Sequence, residues 1–113
     1  FVTYAAAAKT QLVGVPADLI DKVGVVSAEV AESMASGAKR ELKTAWGVSF
    51  TGVAGPDALE GHPAGTVFIG IAAPDGTVVV TKFQFDGNRQ QVRQQSVAAA
   101  FDLLADKIKQ IAN

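Results

Sequence analysis

Two apolar runs, residues 66–72 and 77–85, meet at Pro74-Asp75-Gly76, and no other feature restricts the fold of this chain so strongly. Runs rich in Val, Ile, Thr and Phe on either side of a short Pro/Asp/Gly turn read as a β-hairpin. A hairpin alone is marginal, so the rest of the chain must cover it. What flanks it reads mostly as helix. Ser27 stands as the N-cap of a helix over residues 28–45. Its Val30, Met34, Ala38 and Leu42, with Ala31 and Ala35 beside them, recur at the spacing of one buried face. Residues 46–50 read as a strand that ends at Thr51-Gly52. Asn88 caps a last helix, residues 89–111, with Val97, Phe101, Leu104, Ile108 and Ile111 on one expected core face.

Upstream, residues 2–4 read as the end of a buried strand. Residues 5–13 follow as a helix stopped by Gly14, with Pro16 just beyond, and residues 17–23 as a short helix closed by Gly24. This order predicts an α/β fold: a three-layer α/β/α sandwich around a mixed sheet. The chain starts at Phe1, already inside an apolar strand. The expectation is therefore one domain, residues 1–113, truncated at its N-terminus and lacking a first strand and helix.

Composition removes several function classes. With no Cys there is no disulfide framework and no thiolate chemistry, and the single histidine, His62, cannot build a zinc site alone. No metal and no cofactor are expected. A net charge of −1 argues against a nucleic-acid surface, which shows itself as a basic stripe. No apolar run approaches the ~20 residues of a spanning helix, and no signal peptide is visible, so the reading is a soluble, cytoplasmic protein with no membrane partner. A sheet lacking its first strand leaves an edge to cover, which a homo-oligomer would do.

Chemistry in such folds gathers beyond the carboxyl ends of strands. Three stretches fall there: residues 4–9, 51–66 and 86–89. Lys9 leans back along its helix toward Tyr4, and about five helical residues span only ~7.5 Å, within reach of the phenol. Alanines around a lysine strip part of its hydration and lower its pKa toward that of a base. The spacing by itself fits an ordinary surface lysine better. The loop "TGVAGPDALEGHPAGT" carries four glycines and two prolines, too many for a mere connector. Backbone N–H groups around Gly52 and Gly55, with the Thr51 hydroxyl at the mouth, suit a phosphate or an oxyanion, though a plain surface turn has the same composition. Arg89 can grip a phosphate or carboxylate bidentately, or stand solvated with Arg93 one turn on. His62 and the Gln90-Gln91 and Gln94-Gln95 pairs read as solvated surface. No serine has a base beside it, so a lysine base has nothing to deprotonate within these residues.

In order along the chain, the same stretches resemble the CinA C-terminal domain family, which includes the nicotinamide mononucleotide deamidases. "FVTYAAAAKTQLVGV" is similar to the family's V-T-Y-x-x-x-x-K-x-x-L-L-G-V, and "GVVSAEVAESMASGAK" to G-x-V-S-x-x-V-A-x-x-M-A-x-G-A. "TGVAGPD" with "HPAGTVFIGIA" resembles T-G-I-A-G-P and K-P-V-G-T-V-x-I-G-L-A. "FDGNRQQVRQQSV" resembles G-D-R-x-x-V-R-x-x-(S/A)-V. The resemblance implies amide hydrolysis of a mononucleotide substrate by a serine nucleophile, with Lys9 as general base and the Tyr4 hydroxyl nearby. It assigns Thr51, Gly52 and Gly55 to the substrate loop, and Arg89 to the arginine of G-D-R. The family's serine lies in an E-S-C-T-G-G stretch upstream of V-T-Y, so the parent protein is the expected enzyme and this fragment alone is expected to be inactive. Two positions depart from the pattern. Gly55-Pro56-Asp57-Ala58-Leu59 replaces Gly-Pro-Gly-Gly-Gly, and Asn88 replaces the aspartate of G-D-R. A non-catalytic nucleotide-binding or regulatory module is the alternative reading.

Overall fold

The computed structural model describes residues 26–53 and 61–112. Their elements are α1 (Ala28–Glu41), β1 (Gly47–Gly52), β2 (Thr66–Ala72), β3 (Val78–Gln84) and α2 (Arg89–Ala112). Within them the sheet has the order β1-β2-β3, and both pairings are antiparallel. The strand that would make the sheet mixed, residues 2–4, lies outside the described residues, as do the two helices expected at 5–13 and 17–23.

The central strand is buried along its whole length because each of its faces carries a helix. Residues directly opposite in an antiparallel register share a face. Ser49 pairs with Gly70, Thr51 with Phe68 and Gly70 with Val80 on the face that α1 covers, where Val26, Ala31, Val53 and Phe68 form the core. Val67 and Ile69 point the other way, against Val92 and Ala100 of α2, with Val48, Phe83, Phe85 and Leu103 packed around them. The α/β class with a helix on each face is thus as expected.

Helix α1 lies low on the sheet. A side chain at Gly70 would place its Cβ 2.7 Å from both the Ala31 carbonyl and the Ser49 hydroxyl, and one at Gly47 would strike the Ala35 carbonyl. The close approach lets Ser49 donate its hydroxyl to the Ala31 carbonyl, 2.6 Å away in the interior. At the far end Lys39 donates its ammonium to the Ala73 carbonyl at 2.6 Å, tying the helix to the hairpin.

Two helix expectations need correction. Ser27 does cap α1, accepting from the Val30 N–H, but the helix ends at Glu41 rather than at residue 45. Lys43 adopts the left-handed conformation (φ 53°). Its N–H bonds the Arg40 carbonyl and that of Thr44 bonds the Lys39 carbonyl, a Schellman end built without glycine. Leu42, assigned to the buried stripe, is consequently exposed. In α2 the buried line is Val92, Ser96 and Ala100, whereas Val97, Phe101, Ile108 and Ile111 are exposed. Small residues face the sheet because they let the helix axis come close, and the Ser96 hydroxyl is satisfied within the helix by the Val92 carbonyl.

Candidate functional site

β1 and β3 end, and α1 and α2 begin, at the same end of the sheet. Backbone hydrogen bonds fix that convergence. Val53 N–H donates to the Thr66 carbonyl (2.8 Å), Gly65 N–H to the Val53 carbonyl (2.6 Å), and Phe85 N–H to the Gly65 carbonyl (2.9 Å). Three chain segments, 51–53, 65–66 and 84–86, are therefore laced side by side. Gly65 must be glycine here, since its φ is +91° and a Cβ would collide with the Phe85 carbonyl. Beneath the lacing the buried Thr66 hydroxyl lies 2.8 Å from the Pro63 carbonyl and 2.9 Å from Gln84 Oε1, while Gln84 donates to the Ala64 carbonyl.

Arg89 is the first residue of α2 and is exposed at this end. The turn before it is held from both sides. Asn88 Oδ1 accepts from the Gln91 N–H and Gln91 Oε1 accepts from the Asn88 N–H, a reciprocal capping box. Gln95 reaches back to donate to the Asp86 carbonyl at 2.7 Å. Gln91 and Gln95, read from sequence as solvated surface, are thus the braces of the Arg89 turn. The Asn-x-x-Gln spacing was the available signal. Asn88 keeps the cap that the family's aspartate would supply, without its charge.

Of the residues expected in a substrate loop, Gly52 is exposed but Thr51 is buried, directly opposite Phe68 in the register. Its side chain lies on the face that α1 covers rather than at an open mouth, because odd-numbered β1 residues face α1. Gly55 lies outside the described residues. So do Tyr4 and Lys9. His62 also differs from its reading. It is half-buried, with its ring edge-on to Phe68 at 5.7 Å between centroids, and the Lys82 ammonium sits 5.7 Å from the centre of that same ring.

Charges of both signs meet at this end, where Glu29 lies in the first turn of α1 and Asp86 just before α2. Two helix N-termini each carry a partial positive charge from aligned peptide dipoles, and Arg89 adds a full one. At the opposite end a shallow groove of about 330 Å³ lies between Lys39, Arg40 and Lys43 of the α1 terminus and the hairpin turn. There the cations answer the negative helix end. Among the described residues no three His, Cys, Asp or Glu side chains gather as a metal site requires, and no helix is long and apolar enough to cross a membrane.

Comparison with known proteins gives a consistent outcome. A family model, CinA C-terminal domain, matches residues 1–108. A protein of Lactiplantibacillus plantarum that bears the name competence-damage inducible protein is 59% identical over 104 residues, covering 92% of this chain and 25% of that protein. A protein of the same name from Limosilactobacillus fermentum is 50% identical over 110 residues, covering 96% of this chain and 27% of the relative. The chain thus spans about a quarter of the length of the curated relatives it matches. Among solved structures, a CinA superfamily protein from Klebsiella pneumoniae superposes with a TM-score of 0.91 at 27% identity, over 96% of this chain and 68% of that one. A competence/damage inducible protein from Agrobacterium tumefaciens gives 0.88 at 31% identity, over 94% and 66%.

Proposed function

The chain belongs to the CinA C-terminal domain family, and from that membership we propose that its site serves hydrolysis of nicotinamide mononucleotide to nicotinic acid mononucleotide and ammonia in the parent protein. The observation that supports this reading is the lacing of the Thr51-Gly52 segment to the turn that carries Arg89, at the end of the sheet where two helix N-termini also point. That arrangement suits a ligand with one phosphate. The guanidinium and dipoles hold the phosphate, and the glycine loop offers N–H groups to the reacting carbonyl.

In the proposed reaction the serine oxygen of the upstream motif attacks the amide carbon as Lys9 takes the hydroxyl proton. Collapse of the tetrahedral intermediate breaks the carbon–nitrogen bond, and the proton goes to the leaving nitrogen, releasing ammonia. Water, deprotonated in turn, then cleaves the acyl ester, restoring the serine and giving the acid. Tyr4 matches the tyrosine whose hydroxyl the family resemblance puts near this proton path. Lys9, preceded in sequence by four alanines, needs a depressed pKa to act as a base near neutrality.

The test is ammonia release from nicotinamide mononucleotide by the native-length gene product, with Lys9→Ala beside it. Release that disappears in the variant supports the reading, and unchanged turnover sinks it. A binding module without turnover is the second reading, favoured by the uncharged Asn88 and by Asp57 in the glycine loop. It predicts saturable mononucleotide binding with no ammonia from either protein.

A further inference from the structure

The groove at the far end of α1 gathers more positive charge than the helix end beneath it can answer. Lys39, Arg40 and Lys43 line it on one side and the hairpin on the other. A helix C-terminus amounts to about half a negative charge. Glu41, 3.6 Å from Arg40, adds one more. Three cations set against these leave the groove positive, and cations crowded into five residues repel one another.

Two of the three are held in place by the fold. Lys39 is half-buried, and its stem passes so near Gly47 that a Cβ there would lie 3.0 Å from the Lys39 Cβ. Its ammonium gives one hydrogen to the Ala73 carbonyl, 2.6 Å away. An ammonium has three to give, and Lys39 has no ion pair among the described residues. The carbonyl therefore fixes where the charge stands and leaves two donors over. A charge taken part-way out of water without a counter-ion is unfavourable, and an anion in the groove relieves it. Lys43 holds the left-handed conformation (φ 53°) in which glycine would close the same turn without strain. Strain retained at the rim of a cavity points to a use for the side chain. Ser36, half-buried one turn before Lys39, brings a hydroxyl to the same wall.

At about 330 Å³ the groove has the size of a small molecule rather than of a single ion. Two ammonium groups as point charges, a guanidinium fork and a hydroxyl make a set suited to phosphate oxygens. Helix α1 has fourteen residues, so ~21 Å separates this groove from the end that carries Arg89. We propose that the groove is a second ligand site, which takes a small phosphate-bearing molecule with its phosphate among Lys39, Arg40 and Lys43. This site stands apart from the proposed hydrolysis and does not depend on it.

The test is lysine acetylation of the native-length product, with and without inorganic pyrophosphate, at constant ionic strength in a phosphate-free buffer. Each lysine is read at its own peptide by mass spectrometry, so binding elsewhere in the protein does not interfere. Pyrophosphate is expected to slow the labelling of Lys39 and Lys43 at least about fivefold. Half of the effect is expected below about 1 mM. Lys82, exposed at the other end of the sheet, should label at an unchanged rate. Lys43→Gly should weaken the protection of Lys39 by about tenfold in pyrophosphate concentration. The same variant should melt higher than the parent without pyrophosphate, since the strained turn is relaxed, which shows that it folds. Arg89→Ala should leave the protection intact, and this separates the groove from the phosphate role proposed for Arg89. Labelling of Lys39 and Lys43 that pyrophosphate does not change overturns the proposal. So does protection shared by Lys82, which is screening, or lost in Arg89→Ala. Citrate protecting as well as pyrophosphate overturns the assignment to phosphate.

Discussion

Asn88 and Gln91 hold each other: each side-chain oxygen accepts the other's backbone N–H, at 2.9 and 2.8 Å. The pair closes the first turn of α2 and fixes the direction in which Arg89 leaves the helix. Removing one member should loosen that turn without disturbing the core, because all three residues are exposed. Asn88→Ala is expected to cost about 1 kcal/mol in chemical denaturation. Gln91→Ala should cost less, and Asn88→Asp should restore the loss. A variant Asn88→Ala as stable as the parent would mean that the box contributes nothing in solution.

Arg89 is expected to act through binding. If it grips the substrate phosphate equally in ground and transition states, Arg89→Ala raises KM and leaves kcat in place. A lost charge-assisted contact corresponds to between about tenfold and a hundredfold in KM. Arg93→Ala, one turn on, serves as the comparison in steady-state kinetics of the native-length product. A fall in kcat at constant KM would remove the phosphate role.

The tight seat of α1 makes a sharper stability prediction. Gly70→Ala forces a methyl between the Ala31 carbonyl and the Ser49 hydroxyl, both 2.7 Å from it. Overpacking of this kind costs about 1–3 kcal/mol. Ser49→Ala removes a donor from a carbonyl that also serves the helix, and about 1 kcal/mol is expected. The two residues share the same atoms, so the double variant should fall short of the sum. Urea midpoints of the three proteins measure this directly.

Asp75 gives a pH signature. Its carboxylate accepts from the Thr77 hydroxyl at 2.6 Å and from the Thr77 N–H at 3.0 Å, and these bonds hold its pKa below the ordinary 3.8. A carboxyl depressed on folding adds stability that is fully present above its unfolded pKa. That stability is lost as pH falls through the lower folded value. Asp75→Asn should therefore flatten the acid limb of the stability curve below about pH 4 and leave the slope near neutrality unchanged. Melting temperature against pH, for both proteins, decides it.

The hairpin was legible almost to the residue, since β-branched alternation and the Pro-Asp-Gly turn act over a few positions and need no distant partner. The end of α1 was not. Its stop signal is a lysine in a left-handed conformation, and side-chain identity at Lys43 does not announce that conformation as a glycine would. The face of α2 was misjudged for a different reason. Periodicity finds a stripe of large apolar residues, but it does not say whether the neighbour for that stripe lies in the same chain. The sheet selected the narrower line of Val92, Ser96 and Ala100 because close packing rewards small side chains. At the site, fold class alone was enough to bring Thr51-Gly52 and Arg89 to one end. The braces, Gln91 and Gln95, were hidden by their resemblance to any solvated glutamine, although the spacing from Asn88 was there to be read.

The lacing of Val53, Gly65 and Phe85 also bears on how such a site can change over time. The Val53–Thr66 and Gly65–Val53 bonds pin both stems of the loop between β1 and β2. With its ends fixed, the cost of a longer or shorter loop is only the entropy of closing a chain between two points. That cost rises by about 0.6 kcal/mol for each doubling in length. Insertions and deletions there leave the strand register and the Arg89 turn untouched. The fold has in effect separated a segment whose length can drift from a frame that must stay where it is.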